Sequence, residues 1–286
     1  MGKSLSIIIP HYNSPAKLGR LLNTIPERDE IEVIVVDDCS TKSLEEFEDV
    51  KKAHPGVLFL DSKKNGGPGQ ARNIGLDRAS GEFILFSDSD DYFAENMWES
   101  VSFYLDKDFD VVLFPPTSVF EGTDKMADRH QTSEKIVNDF RIKHDEKSVL
   151  TARYMMVLNL SRIIRRSVIE ENGIRFLDQR YFEDAIFAMT TGLATDKFEA
   201  SDKVIYVITK TEGTETYNKD PEKETARRRL SYERARLLKK SLNKSERKLL
   251  NAGNELVLRR YKEYKQNVLA RVIYGVYYRV FGTKLG

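Results

Sequence analysis

The chain has 286 residues, of which 40% are hydrophobic and 32% charged, a globular composition that predicts one large domain or one domain with a substantial appendage. Its single cysteine, Cys39, excludes an intrachain disulfide framework, and the four histidines form no Cys/His cluster of the structural zinc type. The first apolar run, Leu5–Ile9, is too short for a signal-peptide core or a membrane span, so we expect a cytoplasmic protein.

Charge is distributed unevenly along the chain, although the net charge is only +1. Residues 222–286 contain 18 Lys and Arg against 6 Asp and Glu, whereas the preceding 221 residues contain 28 against 39. An acidic body with a basic tail points to an anionic partner, either nucleic acid or a membrane surface.

The first part of the chain alternates short apolar strands with helices. Strands are predicted at Leu5–Pro10, Ile31–Val36, Val57–Leu60 and Phe83–Phe86. The helices between them are predicted to begin after Ser14, at Ser43 and at Gln70, and the third ends at Ala79 before Gly81. Continuously apolar strands that alternate with helices indicate βαβ units, and therefore an α/β fold with a mostly parallel sheet.

The pattern changes beyond these units. A strand is predicted at Asp110–Phe114, but residues 115–148 are polar and poorly periodic, and we interpret them as an insertion that forms a mobile lid. A helix is predicted at Ala185–Leu193 and a further strand at Val204–Ile208. After Pro221 the periodicity is purely helical, with an apolar stripe among many Lys and Arg.

Polar residues follow the ends of three predicted strands, at Pro10–Asn13, at Asp37 and Asp38, and at Asp88–Asp91. In open α/β sheets, ligands bind outside the carboxyl ends of the strands, where the strand order switches. We therefore expect these groups to converge on one crevice.

The segment Asp88–Asp91 is the strongest candidate site. Three carboxylates in four residues repel one another unless a cation is present, and hard oxygen ligands suit Mg²⁺ or Mn²⁺ bound to a diphosphate. The alternative is a solvated acidic turn or a helix cap, which is the commoner origin of such a cluster in isolation.

Weaker features lie nearby. Asp38 could hydrogen-bond a base or ribose edge, and Tyr12 could either stack on a base or simply pack in the protein. The loop Gly66–Gly69 could bring backbone N–H groups to an anion, with Arg72 one turn later, or could form only a tight turn. The loop has neither the ending of a P-loop nor the spacing of a dinucleotide-binding motif.

Glu183 and Asp184 form the only other acidic pair that is set among apolar residues. One of these carboxylates is a candidate general base. Carboxylates in the first turn of a helix also simply favour the helix dipole, and that alternative stays open.

Four segments occur in order along the chain: Ile7–Asn13, Val35–Ser40, Asn65–Gly75 and Ser80–Asp91. Together they resemble the motifs of the family 2 glycosyltransferases, which invert the anomeric centre. The resemblance implies the GT-A fold, a doubly wound and mostly parallel sheet with a Rossmann-like nucleotide-binding half. It is dense over about residues 4–93 and continues more thinly through residues 164–187.

The resemblance also implies roles for single residues. It assigns Pro10, Tyr12 and Asp38 to the nucleotide, Arg72 to the nucleotide pocket, Asp88 to the ribose, and Asp90 to the metal on the diphosphate. Asn13, Gly67 and Ser89 belong to the same predicted nucleotide-sugar set, and Asp88 is a second predicted metal ligand. Asp184 becomes the base, with Glu183 as the second choice.

The reaction that the resemblance implies is inverting transfer of a sugar from a UDP-sugar to a hydroxyl of a glycan or lipid-linked acceptor, assisted by Mn²⁺ or Mg²⁺. No histidine follows His144, so the C-terminal histidine ligand of some GT-A enzymes is missing. Two alternatives stay open. A sugar nucleotidyltransferase would need a glycine-rich triphosphate loop near the first strand, which is absent, and a catalytically silent nucleotide-binding protein would bind donor without turnover.

On this interpretation residues 1–220 form the catalytic domain, in which 1–115 bind the nucleotide-sugar and 116–220 face the acceptor. Residues 221–286 form a basic amphipathic helical extension that ends in the aromatic segment Val272–Phe281. Such helices can pack on the catalytic domain or in a homo-oligomer, or lie on the anionic cytoplasmic face of a membrane. No nucleic-acid recognition module is present, so we do not expect nucleic acid as a partner.

Overall fold

We describe the fold from a computed structural model of the chain, which covers residues 2–178, 181–211 and 221–250. The chain divides into two units, Met1–Arg234 and Ala235–Gly286. The aromatic segment Val272–Phe281, on which the expectations of membrane or subunit contact depend, lies outside the described residues.

Strands and helices alternate through most of the described chain. In chain order they are β1 (Leu5–His11), α1 (Pro15–Leu22), β2 (Ile31–Asp37), α2 (Leu44–Ala53), β3 (Leu58–Asp61), α3 (Pro68–Leu76), β4 (Phe83–Phe86), β5 (Tyr92–Phe93), α4 (Met97–Leu105), β6 (Val111–Leu113), β7 (Thr117–Phe120), α5 (Gln131–Lys143), α6 (Glu146–Met155), β8 (Arg162–Arg165), α7 (Arg166–Glu171), α8 (Glu183–Ala194), β9 (Phe198–Ala200), β10 (Tyr206–Lys210), α9 (Pro221–Ser241) and α10 (Lys244–Leu249). None of the described helices is both long and apolar enough to span a bilayer.

A seven-stranded sheet forms the centre of the first unit, with the strand order β3-β2-β1-β4-β8-β6-β9. Only β8 runs against its neighbours, because it pairs antiparallel with both β4 and β6 while the other pairs are parallel. This confirms the α/β class and the mostly parallel sheet. A smaller sheet has the order β5-β10-β7.

The sheet core consists of the apolar runs that the sequence pattern indicated. Every residue of β1 and β4 is buried, as expected for central strands covered by helices on both faces. Helix α3 lies close against β1 at Gly75, where an added Cβ would stand 2.4 Å from Ile8 Cγ2. A side chain larger than hydrogen at Gly75 would therefore push α3 away from the sheet.

The chain order creates a switch point between β1 and β4. From β1 the chain moves outward to β2 and β3 on one side, and β4 then returns to pair with the other edge of β1. The loops that follow β1 and β4 therefore diverge and leave a crevice at the carboxyl edge of the sheet. Arg72, near the start of α3, and Glu183, at the start of α8, also reach this edge.

The expectation that residues 115–148 lack regular secondary structure was wrong. This stretch contains β7, the thirteen-residue helix α5 and the start of α6. Val137 and Phe140 of α5 are buried three positions apart on one face, a spacing too sparse to stand out among the surrounding charged residues. Asp145 caps α6 by accepting a hydrogen bond from the Ser148 backbone N–H at 2.8 Å.

Two predicted helices also have boundaries that differ from those observed. Helix α3 begins at Pro68 and ends at Leu76, not at Gln70 and Ala79, because proline suits the first position of a helix and Gly67 turns the chain with φ of 82°. Helix α8 begins at Glu183, two residues before the predicted start, so its first turn consists of the acidic pair itself.

Candidate functional site

A cleft of about 1130 Å³ opens at the switch point of the large sheet. Such a volume suits a ligand larger than most drug-sized molecules. Among the residues to which the family resemblance gave a role, Asn13 alone does not line this cleft; those that do are Pro10, Tyr12, Asp38, Gly67, Arg72, Asp88, Ser89, Asp90, Glu183 and Asp184. The segments that carry them meet here because parallel strands end at the same edge of the sheet.

The acidic segment after β4 forms a carboxylate cluster. One carboxylate oxygen from each of Asp88, Asp90 and Asp91 lies within 4.8 Å of the other two. Asp91 is only 3% exposed, and its two oxygens accept hydrogen bonds from the Thr209 N–H at 2.7 Å and the Tyr206 hydroxyl at 2.9 Å. Asp91 therefore anchors the turn, while Asp88 and Asp90 line the cleft.

Tyr206 on β10 organises this turn and was missed by sequence reasoning. Its hydroxyl accepts a hydrogen bond from the Asp88 N–H at 2.9 Å and donates to the Asp91 carboxylate. The side chain is fully buried, and burial raises the pKa of the phenol well above its usual range, so the hydroxyl keeps its proton. Nothing in the sequence connects Tyr206 with a segment 115 residues earlier.

The environment of the cluster favours a bound cation. Burial and the neighbouring Asp88 charge raise the pKa of Asp90, and burial also raises the pKa of Asp91. Among the described residues, no Lys or Arg forms an ion pair with Asp90. Hard, clustered carboxylate oxygens of this kind are ligands for Mg²⁺ or Mn²⁺.

Arg72 on α3 connects the two acidic parts of the cleft. One terminal nitrogen donates to Asp88 Oδ1 at 2.5 Å, and the other donates to Glu183 Oε1 at 3.1 Å and to Asp184 Oδ1 at 3.2 Å. The guanidinium also lies over the Phe176 ring, 5.3 Å from its centroid. The Arg72 side chain is only 3% exposed, and three carboxylates share this one buried cation.

Glu183 and Asp184 begin α8 on the opposite wall of the cleft. Glu183 is buried, and the desolvation together with the adjacent Asp184 charge raises its pKa to about 7. Asp184 keeps 40% of its side chain accessible, yet the concave wall around it displaces enough water to raise its pKa as well. Phe182 precedes them with φ of 61°, a left-handed conformation that is strained for a phenylalanine and that sets the direction of the first turn.

The third part of the cleft surrounds the loop before α3. The Asp38 carboxylate accepts hydrogen bonds from the N–H groups of Gly66 and Gly67, at 2.9 and 2.7 Å. These backbone donors therefore bind an anion that belongs to the chain itself, and Asp38 holds the loop in place. Tyr12 is 47% exposed on the cleft wall, so its ring is available for stacking and is not packed in the core.

Two polar residues at the end of β1 and just after it, His11 and Asn13, have structural contacts. Buried His11 lies with Nδ1 2.8 Å from Asp37 Oδ1, and its Nε2 accepts a hydrogen bond from the Ser14 N–H at 3.2 Å. Burial lowers the pKa of His11, which keeps the ring neutral. The Asn13 side chain accepts hydrogen bonds from the N–H groups of Thr41 and Lys42, at 2.7 and 2.9 Å, and ties the loop after β1 to the loop after β2.

Several cleft residues carried no recognisable sequence signal. They are Lys17, Lys64, Asp178 and Tyr181. Lys17 on α1 forms an ion pair with Glu121 at 2.6 Å, and its charge lowers the pKa of Asp90 in opposition to burial. Single lysines and tyrosines of this kind are common on any surface, so only their position in the fold distinguishes them.

Comparison with known proteins identifies relatives of the chain. The family model described as Glycosyl transferase family 2 matches residues 6–173. TarS of Staphylococcus aureus, a poly(ribitol-phosphate) beta-N-acetylglucosaminyltransferase, is 32% identical over 216 residues, or 73% of this chain and 36% of TarS. The poly(ribitol-phosphate) beta-glucosyltransferase of Bacillus spizizenii is 30% identical over 219 residues, or 73% of this chain and 33% of that enzyme. The chain thus spans about a third of the length of these relatives.

Solved structures agree with the family match. A crystal structure of S. aureus TarS in complex with UDP-GlcNAc is similar with a TM-score of 0.65 and 27% identity, over 86% of this chain and 70% of that chain. A mannosyltransferase from Pyrobaculum calidifontis, solved with GDP-Man and Mn²⁺, shares the fold with a TM-score of 0.56 at 17% identity. The family match extends over more than half of the chain and includes strands β1 to β4, whose ends form the cleft. The chain therefore belongs to glycosyltransferase family 2 and has the GT-A fold.

Proposed function

We propose that the chain transfers a hexose or N-acetylhexosamine from a UDP-sugar to an acceptor hydroxyl, with inversion at the sugar's anomeric carbon. The observation that carries this proposal is the arrangement around Arg72, which holds Asp184 and Asp88 on facing walls of one cleft. A donor diphosphate near Asp88 and Asp90 would leave its sugar facing Asp184. The names of the two relatives above supply the sugar classes.

The roles of single residues follow from their positions. Tyr12 stacks on the base, and Pro10 lies beside it on the same wall. Asp38 and Gly67 shape the floor under the nucleoside through the bonds between them. Asp88 contacts the ribose, and Ser89 contacts the diphosphate from the same turn.

Asp184 is the proposed general base. It removes the proton from the acceptor hydroxyl while that oxygen attacks the anomeric carbon in line, so no covalent sugar intermediate is needed. Its accessible fraction of 40% lets an acceptor reach the carboxylate, whereas Glu183 is only 7% exposed and lies behind it. Asp184 is therefore better placed than Glu183 for this step.

The residues present fit a divalent cation. Asp90 and Asp88 would hold Mn²⁺ or Mg²⁺ together with the donor diphosphate, while Asp91 is already occupied by Tyr206 and Thr209. When bound, such an ion stabilises the negative charge of the departing nucleoside diphosphate. Lys17 lines the same side of the cleft and adds positive charge there.

For the acceptor, we propose a glycan or lipid-linked polymer of the polyol-phosphate type, since the names of both relatives carry poly(ribitol-phosphate). The proposed role is therefore in polysaccharide biosynthesis, and the proposed location is the cytoplasmic side of a membrane. The basic extension is proposed to mediate either contact with that membrane or homo-oligomerisation, and nucleic acid is not a proposed partner.

The first experiment is thermal unfolding of the wild type and of Asp90→Ala with UDP, CDP, GDP and dTDP, each with Mn²⁺ and with chelator. A nucleotide at about 100 times its Kd stabilises a protein by roughly 2.7 kcal/mol, which is a shift of several degrees for a chain of this size. We expect a metal-dependent shift with UDP that Asp90→Ala abolishes. Asp49→Ala, which removes an exposed carboxylate on α2, is the matched control and retains the shift.

Turnover is then measured as release of UDP from UDP-GlcNAc and UDP-glucose, with poly(ribitol phosphate) as the acceptor. Transfer by the wild type supports the proposal. A UDP-dependent shift with no transfer to any acceptor would favour a catalytically silent nucleotide-binding protein, and a product that retains the nucleotide would favour a nucleotidyltransferase.

A further inference from the structure

Asn159 lies in the connection between α6 and β8, behind the acidic pair of α8. Its side chain is 1% exposed, and its amide nitrogen donates to the backbone carbonyl of Asp184 at 2.8 Å. The side-chain oxygen is buried and makes no hydrogen bond to any described residue. A buried amide that is only partly satisfied costs stability, so its presence here is not explained by the stability of the fold.

The segment around Asn159 connects both halves of the cleft. Leu160 pairs with Phe86 at the end of β4, two residues before Asp88. Arg162, also 1% exposed, donates to the backbone carbonyls of Met156 and Leu158 and so fixes the turn that carries Asn159. One rigid segment therefore touches the strand that leads to the donor-side carboxylates and the residue proposed as the base.

From this geometry we propose that Asn159 is a positioning residue, which sets the location of Asp184 relative to Asp88 and thereby relative to the donor sugar. The inference rests on the proposed role of Asp184. Arg72 restrains the Asp184 carboxylate from the front, and Asn159 restrains its backbone from behind. Without Asn159 the first turn of α8 could shift while the donor-side turn, held by Tyr206, stays in place.

The charged groups around Asp184 determine how its titration responds. Arg72 from α3 and Arg162 from β8 lower the pKa of Asp184, the Asp88 carboxylate raises it, and Glu183 is its neighbour on α8. The neighbouring Asn159 amide lowers the same pKa. Loss of the amide therefore raises the pKa of the base, and the acidic limb of the kcat profile moves to higher pH.

The test compares the full-length wild type with Asn159→Leu, which removes the donor at similar volume, and with Asn159→Gln, which keeps an amide. We expect kcat for transfer from UDP-GlcNAc to poly(ribitol phosphate) to fall at least tenfold in Asn159→Leu and to recover in part in Asn159→Gln. We expect the KM of Asn159→Leu for UDP-GlcNAc to stay within twofold of the wild-type value. The acidic limb of its pH profile of kcat should move to higher pH. Asn172→Leu is the matched control. Asn172 lies outside the cleft, and its amide nitrogen donates to the Val168 carbonyl at a distance of 2.9 Å. We expect the kcat of Asn172→Leu to equal that of the wild type.

A wild-type kcat and pH profile in folded Asn159→Leu would overturn the inference. If that variant does not fold, Asn159→Ala replaces it in the same comparison. Crystal structures of the wild type and the variant give a readout that does not need turnover: a displaced Asp184 carboxylate beside an unmoved Asp88 supports the role, and an unmoved Asp184 overturns it. An inactive wild type would count against the proposed function, and the crystallographic result would still decide the role of Asn159.

Discussion

Arg72 and Asp184 are 112 positions apart in the sequence, yet Nη1 of Arg72 donates to Oδ1 of Asp184 at 3.2 Å. The same guanidinium binds Asp88 on the other wall of the cleft. The spacing between the proposed base and the donor-side carboxylates is therefore set by one rigid, planar side chain, which a shorter or flexible cation would not reproduce.

Removal of this cation is expected to affect stability as well as activity. Arg72→Ala leaves Asp88, Glu183 and Asp184 facing one another without a counter-charge, and breaking a buried ion pair in this way costs about 3–5 kcal/mol. Because Asp88 and Asp184 are partly accessible to water, we expect the free energy of unfolding to fall by about 3 kcal/mol, the lower end of this range. Urea unfolding measures it. The control is Arg175→Ala, whose exposed pair with Asp77 contributes about 1 kcal/mol or less, and an equal loss in both variants would contradict the central role of Arg72.

Neutralising the proposed base should separate chemistry from donor binding. Asp184→Asn keeps the shape of the side chain but cannot accept the acceptor proton, so we expect kcat to fall by about 10²–10⁴-fold while UDP binding is retained. Calorimetric titration with UDP and Mn²⁺, alongside a transfer assay, tests both parts. Retained turnover in Asp184→Asn together with its loss in Glu183→Gln would assign the base to Glu183.

Glu183 should also contribute a pH dependence to stability. Burial raises its pKa from the ordinary 4.5 to about 7, so between these values the folded state binds more protons than the unfolded state. The free energy of unfolding that Glu183 contributes therefore falls as the pH rises from about 4.5 to 7. Glu183→Gln removes this contribution, and its unfolding free energy, measured in urea at several pH values, should decline less than that of the wild type. Parallel curves for the two proteins would show that folding does not shift the pKa of Glu183.

Tyr206 offers a test of the carboxylate cluster that does not alter any carboxylate. Tyr206→Phe removes the hydroxyl between the Asp88 N–H and Asp91, which leaves buried polar groups unsatisfied at a cost of about 1–3 kcal/mol. The turn should loosen, and the Mn²⁺-dependent affinity for UDP should fall. Tyr104→Phe deletes a hydroxyl on α4, outside the cleft, and should leave UDP affinity unchanged. If Tyr206→Phe binds UDP as tightly as the wild type, then Tyr206 does not support UDP binding through the Asp88–Asp91 turn.

The contact between α3 and α8 can be tested at Gly69. A Cβ at Gly69 would lie 2.9 Å from Glu183 Cγ and 3.2 Å from Phe176 Cβ, so Gly69→Ala must push the start of α8 away. We expect overpacking to lower the free energy of unfolding by about 1–3 kcal/mol and to slow sugar transfer. Gly56→Ala is the control, since no atom lies within 4 Å of the added Cβ. Normal transfer by Gly69→Ala would mean that the position of Glu183 tolerates the shift.

Sequence patterns predicted the strands and helices of residues 5–86 well. The strands Leu5–His11, Ile31–Asp37 and Phe83–Phe86 consist mainly of apolar residues that are mostly buried, so their position follows from the local sequence pattern. The same patterns failed over residues 115–148, because α5 buries only Val137 and Phe140. Its other side chains, most of them polar, are exposed or half-exposed. Because so few positions of α5 are buried, its sequence shows little of the apolar periodicity that identifies a helix.

By itself, the sequence determined the fold class and the places of Asp88, Asp90 and Asp184 at the end of a strand and the start of a helix, because strands, helices and acidic segments are all local patterns. Only the tertiary structure decided which groups hold these carboxylates. Tyr206 reaches Asp91 across 115 positions, and Asp38 binds the Gly66 and Gly67 amides across 28 and 29. Such contacts depend on strand order and helix packing, which arise from the burial of the whole core and leave no periodic trace near the residues involved.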